Sequence, residues 1–176
     1  PVDDGTRYQP YVEKYPDVFF GRPEWVHDRS GVAGRVMPSS NDMQFLVNLV
    51  RHSTINVNFG STMTLDYSIH DIPLVNIAFD TEDPPVYGMN MWEYLQKFEH
   101  YQPVIELGAA RFALSKQQLA DHINSYLDDP TLDHVGRKGF MDLEIGIPVG
   151  QSCQHIVRSL HEIGGTTAPQ LSEAFA

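Results

Sequence analysis

The stretch Asn58-Phe59-Gly60-Ser61-Thr62-Met63-Thr64-Leu65-Asp66, continuing through His70 and Asp71 to Pro73, holds the residue types in this chain best suited to chemistry. Gly60 follows a β-rich segment, where a tight turn needs a residue without Cβ and a ligand can approach the backbone closely. The residues after it read as a helix start. The amides of Ser61, Thr62 and Met63 would then converge with the positive end of the helix dipole, an arrangement that suits a phosphate. Hydroxyls at Ser61, Thr62 and Thr64 can add hydrogen bonds to phosphate oxygens without adding charge. Asp66 is too deep in the helix to cap its first amides. At that depth its carboxylate can accept both hydroxyls of a ribose whose phosphate sits at the helix start. The turn is neither a GxGxxG fingerprint nor a P-loop, since no second glycine or lysine stands at those spacings. A plain alternative, with Ser61 as a helix cap and Asp66 as a solvated residue, fits the same positions.

The elements around the turn must place it at the end of a sheet. Residues 54–58 alternate as a strand, 61–71 read as a helix closed by Pro73, and 74–79 form a second strand, Leu-Val-Asn-Ile-Ala-Phe. This is a βαβ unit, so the two strands must be parallel and the crossover right-handed. The fold class that follows is α/β: a Rossmann-like parallel sheet flanked by helices. Upstream, Tyr8, Tyr11, Val12 and Tyr15 predict a helix over 6–15 stopped by Pro16. The burst Val18-Phe19-Phe20 predicts a buried strand over 17–20. Residues 22–40 read as an irregular loop in which only 32–37 could form a strand. Asn41 and Gln44 then open a capped helix to about residue 53 that packs on a sheet. Downstream, a short helix is expected over 91–98 and a strand over 104–107. Ser115 and Gln118 cap a helix whose inner face is Leu119, Ile123, Tyr126 and Leu127, ended by Pro130. A last helix over 151–163 turns Ile156, Leu160 and Ile163 inward, with Cys153 on the same inner side. Residues 1–163 are expected to form one domain and 164–176 a flexible tail.

In such a fold the ligand lies beyond the carboxyl ends of the strands, which directs attention to the loops there. Residues 36–43 could place Met37 and Pro38 against a nucleotide base, or be a plain connection. The acidic loop opening at Asp80, with Glu82, could accept hydrogen bonds from sugar hydroxyls, or be simply solvated. His100 and Tyr101 could reach the same cleft. None of the eight histidines forms an HxH or HExxH pair, so no metal site is expected.

The order of these features resembles the C-terminal, nucleotide-donor-binding domain of GT-B-fold glycosyltransferases on Gly60, Ser61, Thr62, Asp66 and Pro73. Asp66 stands seven residues before the proline, where the UDP-glycosyltransferase branch has a ribose-binding Glu. Asn58 stands two before the glycine, where that branch has a diphosphate-binding His. Both differ in type, so the nucleotide stays open. Over about residues 35–163 the chain is also similar to bacterial surface-polysaccharide and CDP-glycerol-transferase-like proteins, through His100-Tyr101-Gln102-Pro103-Val104, Gly108, the helix around Leu119, and Tyr126-Leu127-Asp128-Asp129-Pro130. The resemblance implies one half of a GT-B architecture and metal-independent transfer from a nucleotide-diphosphate sugar, which is a substrate rather than a cofactor. Asn58 would join Gly60, Ser61, Thr62 and Met63 on the phosphates. An N-terminal acceptor-binding domain would be the missing partner, and would carry the catalytic base, so none is assigned here.

Bulk composition narrows the field. The 176 residues are 41% hydrophobic, enough for a domain core. Twelve Lys and Arg against 23 Asp and Glu give a net charge of −11, which excludes a nucleic-acid wrapper or an anionic-membrane binder. A lone cysteine, Cys153, points to a reducing, cytoplasmic setting, and no apolar run is long enough to cross a bilayer. Any peripheral membrane attachment would come through the missing part. Two further readings remain open: a non-catalytic nucleotide- or protein-binding module, and a nucleotide-sugar epimerase of the same architecture.

Overall fold

A computed structural model describes residues 5–27, 36–81, 88–146 and 148–165. The chain divides into two compact units, Pro1–His52 and Ser53–Ala176.

In the first unit a 3-10 turn, Thr6–Tyr8, leads into α1, Gln9–Lys14, the helix expected from the tyrosine spacing. The strand expected over 17–20 is absent. Val18, Phe19 and Phe20 are exposed, Phe19 to 88%, and Phe20 stacks on Tyr8. Short apolar runs do not specify conformation by themselves. Strand β1, Trp25–His27, lies inside the segment read as irregular and pairs antiparallel with β2, Val36–Pro38, through Trp25 opposite Pro38 and Val26 opposite Met37. Helix α2, Ser40–His52, packs against β2. Its first turn is capped two residues earlier than expected. Ser39 Oγ, rather than Asn41, accepts from the Asp42 amide at 3.0 Å.

The second unit is built on a three-stranded parallel sheet, in the order β3, Asn56–Asn58, β4, Leu74–Ile77, and β5, Arg111–Ala113. Helix α3, Met63–Ile69, makes the crossover from β3 to β4. The unit is α/β and Rossmann-like in general form, with its parallel sheet flanked by helices as the βαβ pattern requires. Successive strand residues face opposite sides of the sheet. Val75 and Ala113 join Tyr126 of α6, Lys116–Asp128, in a fully buried cluster, against which the partly buried Leu119 and Ile123 of the same helix pack. Helix α6 is capped as expected, Ser115 Oγ accepting from the Gln118 amide at 3.2 Å. Leu127, placed on its inner face by spacing, is exposed. On the other side of the sheet, Leu74 and Asn76 are fully buried.

Between β4 and β5 the chain forms α4, Met91–Gln96, a 3-10 turn, Glu99–Tyr101, and α5, Gln102–Glu106. The strand expected over 104–107 is therefore helical. Pro103 in the first turn favours a helix start, and Val104 is buried as a helix residue. The third strand begins at Arg111 instead.

Helix α7, His134–Ile145, has no counterpart in the sequence reading. It packs on α3 and α5, and it does so closely. A Cβ on Gly136 would overlap the carbonyl oxygens of Leu107 and Gly108. The fully buried guanidinium of Arg137 fixes its first turn. Nε donates to Asp71 Oδ1 at 2.8 Å, Nη1 to the Leu132 carbonyl at 2.6 Å and Nη2 to the Pro130 carbonyl at 3.2 Å. Asp71 Oδ2 meets His134 Nδ1 at 2.7 Å, so one carboxylate at the α3–β4 corner holds two residues of α7. Helix α8, Ser152–Ile163, follows. Its Ile156, Leu160 and Ile163, expected inside, are exposed, as is Cys153, because amphipathic spacing locates an apolar stripe but not what covers it. Among the described residues no helix is long and apolar enough to cross a membrane.

Candidate functional site

At the end of β3 the chain turns through Gly60 at φ +71°, a left-handed conformation that favours glycine. Packing makes a second demand. A Cβ on Gly60 would overlap Cδ2 of Leu95, itself buried on α4. The glycine thus lets α4 close over the turn, a reason independent of ligand approach.

The turn amides have partners within the chain. Asn58 Oδ1 accepts from Gly60 N at 2.8 Å and Ser61 N at 3.2 Å, while its Nδ2 donates to Asn56 Oδ1 at 2.6 Å. Gly60 N also reaches Asn76 Oδ1 at 3.2 Å, and Ser61 Oγ accepts from Met63 N at 3.1 Å. Asn58 thereby acts as an Asx-type brace for the turn. Of the amides predicted to face a phosphate, that of Thr62 meets no acceptor among the described residues. Thr62 is also the exposed N-cap of α3 and makes no side-chain capping bond.

Behind the turn lies a buried chain of polar groups. Tyr101 Oη donates to Asn76 Oδ1 at 2.9 Å, and Thr64 Oγ1 lies 2.8 Å from Tyr101 Oη. With the Tyr101 proton committed to Asn76, Thr64 is the donor in that second bond. Burial pushes the Tyr101 hydroxyl's pKa up, opposed by these two hydrogen bonds. Asn76 Nδ2 is buried without a partner among the described residues, a cost of about 1–3 kcal/mol that the sheet carries at this position.

Above that chain is a cavity of about 240 Å3. Its floor is Thr64, Tyr101 and Phe140, all buried, and its sides are Ser61 and Leu65. Its rim is formed by the exposed Thr62, His100 and Glu144. Two residues singled out for phosphate, Ser61 and Thr62, are brought together with one singled out for sugar, His100. The His100 ring packs at 5.3 Å from Phe98 and edge-on at 6.4 Å to Tyr101.

Other residues singled out from the sequence fall elsewhere. Asp66 is exposed on α3 and does not line the cavity. Desolvation raises its carboxyl above the ordinary value, and the charge of His70 one turn on lowers it in part. Asp80 Oδ2 accepts from the Met91 amide at 3.0 Å and so steadies the start of α4. Met37 and Pro38 are exposed on β2, in the first unit. Glu82 lies outside the described residues. No group of three or more His, Cys, Asp and Glu suited to a metal occurs among the described residues.

Phe140 and Glu144 were not singled out from the sequence because α7 itself was not. The available signal was Gly146, which closes α7 at φ +62° as a left-handed C-terminal glycine. Comparison with protein-family models, with curated proteins and with solved structures finds no match to this chain.

Proposed function

We propose that the second unit is the donor-binding half of a group transferase of the GT-B type, gripping a nucleotide-diphosphate sugar for transfer to an acceptor held by another domain. The observation that carries this reading is the cavity, which joins the hydroxyls of the β3–α3 turn, Ser61 and Thr62, to His100 from the segment between β4 and β5. In a parallel α/β sheet that is the end of the strands where ligands bind. The Thr62 amide and the Ser61 and Thr62 hydroxyls would meet the diphosphate, and negative charge developing on the leaving group would be stabilised there. Asp66 would take the ribose from the outer face of α3. No catalytic base is assigned to this chain.

Calorimetry of the full chain with UDP, CDP, GDP and ADP tests the reading. One of them should bind, and Asp66→Ala should weaken that binding about tenfold or more while the melting temperature holds, since a carboxylate-to-diol contact is lost. Equal affinity in wild type and variant would remove the ribose assignment.

A second reading, a binding module without chemistry, draws support from one observation: the Gly60, Ser61 and Met63 amides are already satisfied by Asn58, Asn76 and Ser61. Failure of all four diphosphates to bind would favour it.

A further inference from the structure

The chemistry of the cavity specifies which part of a ligand it can take. A diphosphate calls for cations or several open amides, and the lining supplies neither lysine nor arginine. It supplies a carboxylate instead. Glu144, on the rim, has no hydrogen-bond or ionic partner among the described residues, so it is available to a ligand and opposes an anion placed beside it. The floor hydroxyls spend their protons within the chain, Thr64 on Tyr101 and Tyr101 on Asn76. What the floor and sides then present is largely the apolar surface of Tyr101, Phe140 and Leu65. The volume, about 240 Å3, lies below the roughly 300–1,000 Å3 of pockets for drug-sized ligands, a size matched to a single ring rather than to a whole nucleotide.

We propose that this cavity receives an uncharged, hydroxyl-bearing ring, a sugar or a comparable cyclic polyol, and that Glu144 is the residue that selects it. Its carboxylate accepts two ring hydroxyls, the exposed His100 can complete the rim, and the ring's C–H face lies on Phe140 and Tyr101. The diphosphate stays outside, at the Thr62 amide and the Ser61 and Thr62 hydroxyls on the turn side of the rim. The inference rests on the donor-site reading only in joining the ring to a nucleotide.

Saturation-transfer NMR of the full chain with free glucose, N-acetylglucosamine and inositol, in the presence and absence of inorganic pyrophosphate, tests it. At least one ring compound should give signals that pyrophosphate leaves unchanged. Its affinity should fall roughly tenfold in Glu144→Ala and less in Glu144→Gln, which keeps one acceptor, with both variants melting as wild type. The proposal is overturned if none of the three ring compounds binds, if Glu144→Ala binds as wild type, or if pyrophosphate displaces the ring. The two readings fail separately. A chain that binds a ring through Glu144 but no nucleoside diphosphate loses the donor reading alone, whereas one that binds a nucleoside diphosphate but binds the ring compounds equally well in wild type and Glu144→Ala, or not at all, loses this one.

Discussion

Gly60 answers to two constraints, a positive φ and the side chain of Leu95, and both bear on what a substitution does. Gly60→Ala should cost about 2–4 kcal/mol, combining the left-handed penalty with overpacking against a buried leucine. Thermal unfolding would show it, and a loss below about 0.5 kcal/mol would mean the turn relaxes freely. A second residue-level test concerns Asp129, whose carboxyl is held below its ordinary 3.8 by hydrogen bonds from the Thr131 hydroxyl, at 2.6 Å, and amide, at 3.0 Å. A depressed carboxyl stabilises the fold above its unfolded pKa and loses that contribution as pH falls through the folded value. Thr131→Ala keeps the amide bond and removes the hydroxyl's. The Asp129 titration followed by NMR should therefore move up toward 3.8 without reaching it. Asp66 runs the other way. Its raised carboxyl makes its partial desolvation a cost above the folded pKa, and His70→Ala should raise it further by removing the opposing charge.

At the scale of elements, the decisive contact is α7 on α3 and on the turn after α5. Gly136→Ala should destabilise by about 2–4 kcal/mol, because the atoms it would strike are backbone carbonyls that cannot rotate away. Asp71→Ala should cost a similar amount, about 2–4 kcal/mol, by leaving the buried Arg137 charge without its carboxylate. Denaturant melts would check both. Hydrogen exchange should show the loss concentrated in α7 and α3. These contacts also explain what the sequence could and could not disclose. The β3–α3–β4 unit was legible because Gly60, Pro73 and the apolar run from Leu74 punctuate it, and α6 because Ser115 and Gln118 form a cap. Residues 104–107 and 17–20 misled because a short apolar run suits a strand, a helix or an exposed loop equally, and neighbours decide which. Helix α7 is hard to read from sequence because Gly136 and Gly139 weaken its propensity, while at Gly136 its fit depends on that very lack of side chain.

For the whole molecule, a net charge of −11 means that any anionic ligand must be held by local dipoles and hydroxyls against the general field. The sequence led to Ser61, Thr62 and His100, which share a cavity, because turn chemistry is written locally. It could not show that Asn58 would brace the turn amides or that α7 would bring Phe140 and Glu144 to the cavity, since both depend on tertiary contacts. A donor site is distinguished by where a nucleoside diphosphate touches this chain. Amide chemical shifts of the 15N-labelled protein, recorded as the best-binding diphosphate is added, report that directly. Saturable changes centred on Ser61 and Thr62 and extending along α3 to Asp66 are expected. Saturable changes that leave residues 58–66 untouched, or none with any of the four diphosphates, would contradict the donor reading.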